Sequence, residues 1–90
     1  EFQFDRALPL ILKLTAYYSI PKSVSKKNRQ LMIEGKVRPL KKPDADNVMK
    51  VVCDALNGVA YADDVQIVTV ILERFYSEYP HLDVSIWEAE

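Results

Sequence analysis

Residues 44–58, DADNVMKVVCDALNG, constrain the fold more than any other stretch of the chain. Val48, Val51, Val52, Ala55 and Leu56 recur at i, i+3, i+4, i+7 and i+8, the repeat of one helix face. Asp44 or Asp46 can cap the start of that helix, and Gly58 ends it. A helix with one apolar stripe has to bury it against a second layer. At about 100° per residue, Asp46, Lys50, Asp54 and Asn57 share another, polar side.

Three extended runs supply the second layer. LPLILKLTAYYSI, residues 8–20, is stopped by Pro21 and alternates, with Leu10, Leu12, Leu14, Ala16 and Tyr18 on one face and Lys13, Thr15 and Tyr17 on the other. Tyr17 and Tyr18 are assigned to sheet packing. Residues 65–76 are β-branched on both faces for most of their length, as in a central strand. Residues 81–88 alternate with Leu82, Val84 and Ile86 inward, and the SEYP turn predicts an antiparallel hairpin between these last two runs. Residues 24–34 read as a helix with a serine N-cap and Gly35 as its stop, basic and exposed in its first turns. Residues 36–43, KVRPLKKP, read as an extended linker fixed by two prolines. The order β, α, α, β, β predicts an α+β domain: a small mixed or antiparallel sheet with two helices packed on it. Ninety residues, 49% hydrophobic with two glycines, fit one folded domain over 1–90. The opening EFQF, without methionine, reads as that of a shortened chain.

Cys53 is the single cysteine, so an internal disulfide is excluded, and a lone helix thiol reads as a small core residue. No apolar run reaches the roughly 18–20 residues of a membrane span, and no basic stretch leads into an apolar signal core. The expectation is a protein of the reducing cytoplasm with no membrane partner.

A formal charge of −1 hides a sharp separation. Residues 22–42 hold Lys22, Lys26, Lys27, Arg29, Lys36, Arg38, Lys41 and Lys42 against one acid, Glu34, a local +7. Residues 43–64 hold Asp44, Asp46, Asp54, Asp63 and Asp64 against Lys50, a local −4. Clustered carboxylates repel one another, so solvent, cations or a metal must offset them. One cap suffices for a helix and is worth about 1 kcal/mol, which leaves the second of Asp44 and Asp46 unexplained. Hard oxygen donors without cysteine or histidine favour Mg²⁺ or Mn²⁺ over zinc, and His81 reads as a strand surface residue. Such a metal beside a basic arm points to phosphate chemistry, in which the ion polarises a phosphoryl oxygen and generates hydroxide near neutral pH. Lys50 has two readings: an i, i+4 pair with Asp46 or Asp54, worth about 0.2–0.5 kcal/mol, or an ammonium for a phosphate. The arm is either a solvated face or a grip on backbone phosphates, with steep salt dependence.

KPDADNVMKVVCDALNGVAYADDVQI, residues 42–67, resembles the signature of RusA-type Holliday-junction endonucleases, a family often carried by prophages, and IPKSVSKKNR is similar to its basic segment. The resemblance implies a Mg²⁺-dependent homodimer, with Mn²⁺ able to substitute, that nicks two opposed strands of a four-way DNA junction in recombination and repair. By position it makes Asp44, Asp46 and Asp64 the metal-binding acids and Lys50 the catalytic lysine, with Asn47, Asp54 and Asp63 in supporting or structural roles. Family members generally begin with another strand and a basic loop before the region matching Leu8, and this chain lacks them.

The reaction expected on that resemblance is in-line attack of a metal-activated water on a phosphodiester, leaving a 5′-phosphate and a 3′-hydroxyl. A two-fold dimer suits a junction that presents two equivalent strands. One alternative is a non-catalytic junction-binding module in which the acids are caps. The other is a Mg²⁺-dependent nucleotide phosphohydrolase, which calls for a phosphate-cradling glycine loop. Both glycines of this chain read as helix stops.

Overall fold

The fold is given by a computed structural model that describes residues 3–90. Strand β1 (Leu10–Ser19) leads to helix α1 (Lys26–Ile33) and helix α2 (Ala45–Leu56). A 3₁₀ turn (Asp64–Gln66) then opens strand β2 (Ile67–Ser77), and strand β3 (His81–Glu88) follows. The sheet order is β2-β1-β3, with β1 parallel to β2 and antiparallel to β3. An α+β fold with a small mixed sheet and two helices is what the element order predicts.

The alternation along β1 is obeyed. Leu10, Leu12 and Leu14 are fully buried, and Ala16 and Tyr18 are nearly so. Leu12, Leu14 and Val52 of α2 form the core, flanked by Val48, Met49, Cys53, Leu56, Ile67, Leu72 and Ile86. The other side of β1 carries Tyr17, whose ring stacks on Phe75 and, at 4.3 Å between centroids, on His81. Both tyrosines pack in the sheet, and His81 lies at the exposed start of β3, 3.5 Å from Asp83.

Three expectations are corrected. β2 and β3 do not form a hairpin, because β1 lies between them. Two strands flanking a third stand about 10 Å apart, a gap that Glu78–Pro80 can cross at about 3.3 Å per residue. The central strand is therefore β1, whose buried leucines need neighbours on both edges, while β2 is an edge strand with Val68, Val70 and Ile71 exposed. The α2 stripe is also rotated from the expected one. Val51 is 69% exposed and Ala55 is exposed, whereas Met49 and Cys53 pack beside Val48, Val52 and Leu56. Met and Cys pack as hydrophobes, and they widen the apolar arc enough for it to turn.

Both helix ends follow the expected chemistry. Ser25 Oγ accepts from Asn28 N at 3.2 Å, and Asp44 Oδ1 accepts from Asn47 N at 3.0 Å. Gly35 and Gly58 take φ of +80° and +78° just past α1 and α2, a conformation in which a side chain would be strained. No helix of the described residues is long and apolar enough to cross a membrane.

Candidate functional site

The approach to α2 is held by an arginine that sequence reasoning did not single out. Arg74 reaches out from β2, and its Nε donates to Tyr18 Oη at 3.1 Å. Its Nη2 donates to the carbonyls of Lys41 and Pro43. Tyr18 Oη also donates to the Pro43 carbonyl, and Lys41 Nζ donates to the Ser19 carbonyl at 3.1 Å. A guanidinium fork meeting several acceptors is a rigid fastening. It fixes residues 41–43 to the sheet, and with them the start of α2, where Asp44 and Asp46 stand.

Asp44 caps α2, so one carboxylate oxygen is engaged with the helix backbone. Asn47 takes part through its main-chain N–H. Asp46 is exposed in the first turn, where negative charge is favoured by the helix dipole. Lys50 is exposed one turn on. Among the described residues the ion pairs are Lys13–Glu73, Lys36–Glu34 and His81–Asp83, so the i, i+4 pairing of Lys50 with Asp46 or Asp54 does not form.

Asp64 stands at the other end of α2. Its Oδ1 accepts from Tyr61 Oη at 2.8 Å, and that hydroxyl lies 3.4 Å from the Cys53 carbonyl. Burial, and then the bond to Asp64, hold the Tyr61 phenol far above its ordinary range, so it stays a donor. Burial also pushes the Cys53 thiol up, with the charges of Asp64 and Asp54 adding to it against the opposing hydrogen bond of Tyr61. Cys53 is a protonated, half-buried packing residue.

Asp44 and Cys53 are nine residues apart, about 14 Å along a helix at 1.5 Å per residue. The expected meeting of Asp44, Asp46 and Asp64 therefore does not occur within one chain. Among the described residues no three His, Cys, Asp or Glu side chains are grouped to hold a metal. A divalent ion fits neither end of α2 as a complete three-carboxylate site in the single chain.

Asp63 has a structural role. It accepts from Val65 N at 3.1 Å, and Gln66 Oε1 accepts in return from Asp63 N and Ala62 N. Gln66 is buried, and its Nε2 donates to the carbonyls of Asp5 and Leu8 at 2.9 and 3.1 Å. The aspartate three residues before a glutamine is a capping-box pattern, legible in DDVQ.

The basic arm divides in two. Lys36 pairs with Glu34 at 3.2 Å, Arg38 lies 3.8 Å over the Phe75 ring, and Lys41 is bonded to Ser19 and lies over Tyr76. Those three cations fasten the linker. Lys22, Lys26, Lys27, Arg29 and Lys42 are in no ion pair among the described residues. α1 has no acid in its first turn, and Lys26 and Lys27 sit there instead, where the helix dipole disfavours them.

Comparison with known proteins fits this combination of acidic helix and basic arm. The sequence model described as endodeoxyribonuclease RusA matches residues 3–87. The chain belongs to the RusA endodeoxyribonuclease family. It is similar to the uncharacterized protein YqaN of Bacillus subtilis strain 168, 44% identical over 82 residues, which are 89% of this chain and 58% of that protein. The chain thus spans a little over half of its relative's length. No solved structure matches it. On the polar side of α2, Asp46 and Lys50 are both exposed.

Proposed function

We propose that this RusA-family chain is a structure-specific endonuclease that nicks opposed strands of four-way DNA junctions, acting in recombination and repair. The observation that supports it best is that Asp46 and Lys50 are exposed and unpaired on one side of α2, directly after a basic linker, in a chain matched to the family over residues 3–87. Lys50 would hold the phosphate at the cut, its charge uncompensated by a helix neighbour. Lys22, Lys26, Lys27, Arg29 and Lys42 would grip the flanking backbone, with Lys36, Arg38 and Lys41 keeping the linker in place.

A divalent cation, Mg²⁺ or Mn²⁺, is part of the proposal, with Asp44, Asp46 and Asp64 as its ligands. Since one chain does not group these acids, the proposal includes a homodimer that pools them. The test is a labelled four-way junction incubated with Mg²⁺, in which the wild-type chain nicks two opposed strands. Asp46→Asn and Lys50→Ala are each expected to lower nicking at least ~100-fold, the scale of a lost electrostatic group in an active site, with junction binding retained. Parental rates in Asp46→Asn would remove its metal role, and parental rates in Lys50→Ala would remove the lysine's.

The ungrouped acids favour a second reading, a junction-binding module that does not cut. Binding in EDTA with no nicking after Mg²⁺ is restored would establish it. A nucleotide phosphohydrolase has no such support, because both glycines are used at helix ends.

A further inference from the structure

The Pro43 carbonyl is held twice, by Arg74 and by Tyr18. In the register of the sheet Arg74 stands beside Ala16, on the face that α2 covers, and that small neighbour leaves its long side chain room to run towards Tyr18. Its Cζ lies 5.1 Å from the centre of the Tyr18 ring. Nε donates to Tyr18 Oη at 3.1 Å, and Nη2 donates to the Lys41 carbonyl and, at 3.3 Å, to that of Pro43. Tyr18 Oη gives its own hydrogen to the same Pro43 carbonyl. Of residues 41–43 only Pro43 is apolar, so packing has little to hold and the direction of the segment comes from these bonds.

Two features separate this network from an ordinary surface tie. The first is which peptide is held. The Pro43 carbonyl belongs to the planar unit whose nitrogen is that of Asp44, so fixing one end of the plane fixes the direction in which the chain enters α2. Asp44 Oδ1 then accepts from Asn47 N at 3.0 Å, the Asp44 carbonyl accepts from Val48 N at 3.0 Å, and Asp46 follows inside the first turn. The second is which acceptors Arg74 leaves alone. Asp44 and Asp46 follow Pro43 closely, yet among the described residues Arg74 is in no ion pair. By taking carbonyls instead, the guanidinium aligns the two carboxylates without neutralising them.

We infer that Arg74 is a positioning residue of the site, acting with Tyr18 through the Pro43–Asp44 peptide to set where Asp44 and Asp46 stand. The inference rests on the proposed function for what those acids do. Lys50, one turn further along the same helix, is carried with them. Such a site is sensitive to its supports, because a displacement of about 1 Å in a reacting group can lower a rate about 100-fold.

The test compares Arg74→Ala and Tyr18→Phe with the parent chain, the second variant keeping the ring and losing only the hydroxyl. Hydrogen exchange at the Asn47 and Val48 amides, which report on the start of α2, is expected to quicken at least ~10-fold in Arg74→Ala while the amides of β1 keep their parental rates. On a labelled four-way junction with Mg²⁺, kcat is expected to fall at least ~10-fold with KM within about twofold of the parent. Free guanidinium ion, added well below denaturing concentration, is expected to restore part of the kcat of Arg74→Ala. Tyr18→Phe should move exchange and kcat in the same direction by less, and it decides the matter alone if Arg74→Ala does not fold. Parental exchange in both variants overturns the inference. So does exchange that quickens equally in α2 and β1, which is lost stability without positioning, and so does a loosened α2 start with parental kcat. If the parent itself binds junctions and does not nick them, the nuclease reading falls, and loosening confined to the start of α2 still supports the role of Arg74.

Discussion

Gln66 is buried and bonded at both ends of its amide, accepting from Ala62 and Asp63 and donating to Asp5 and Leu8. It ties the segment before β1 to the turn that carries Asp64. Gln66→Leu would leave two carbonyls and two N–H groups without that partner, and each buried loss costs about 1–3 kcal/mol. Solvent rescues the more exposed of them, so an overall loss of ~2–4 kcal/mol is expected. It should be read as a lower urea midpoint with an unchanged m-value. A loss below ~0.5 kcal/mol would show that the staple is dispensable. At this scale the sequence was legible at the helix caps. Asp44 reaches Asn47 N because a cap lies three residues from its donor. It was not legible where the partner is remote: Gln66 meets Asp5 across 61 positions and Arg74 meets Tyr18 across 56. It was equally silent on Asp64, which turns to Tyr61.

Among the elements, α2 has to do two things, bury Val52 and present Asp46 and Lys50, and its start is fixed by one carboxylate. Asp44→Ala removes the cap and is expected to cost about 1 kcal/mol in stability, while Asp44→Ser restores the cap without a charge. If Asp44 is only a cap, Asp44→Ser should nick junctions as the parent does. If it is also a ligand, as proposed, Asp44→Ser should be as stable as the parent and yet lose nicking. Thermal melts and a nicking assay on the same two variants separate the roles. Elements themselves were legible from period and punctuation, as β1, α2 and both glycine stops show. Strand order was not. Alternation says which face of β2 or β3 is buried but not which strand lies beside it, and Glu78–Pro80 can either turn back or step across β1. The crossover of residues 20–66, bearing both helices, was the available signal, since a helical connection of that length joins parallel strands.

Over the whole molecule the question is what the charge separation is for, and the structure narrows it by subtraction. Lys36, Arg38 and Lys41 are engaged in the fold, which leaves Lys22, Lys26, Lys27, Arg29 and Lys42. Two of these, Lys26 and Lys27, stand in the first turn of α1, where positive charge works against the helix dipole by about 0.3–1 kcal/mol each. A cation kept where it destabilises its own helix argues for a partner outside the molecule, and phosphates match it. The double variant Lys26→Gln, Lys27→Gln is therefore expected to melt no lower than the parent and yet to bind junctions more weakly. Each phosphate contact contributes about −0.9 to the slope of log affinity against log salt, so losing two should flatten that slope by about 1.8. Lys36→Gln should leave the slope nearly unchanged, because that ammonium already faces Glu34. A double variant with unaltered slope would return Lys26 and Lys27 to the status of a solvated face and move the DNA contact elsewhere on the chain.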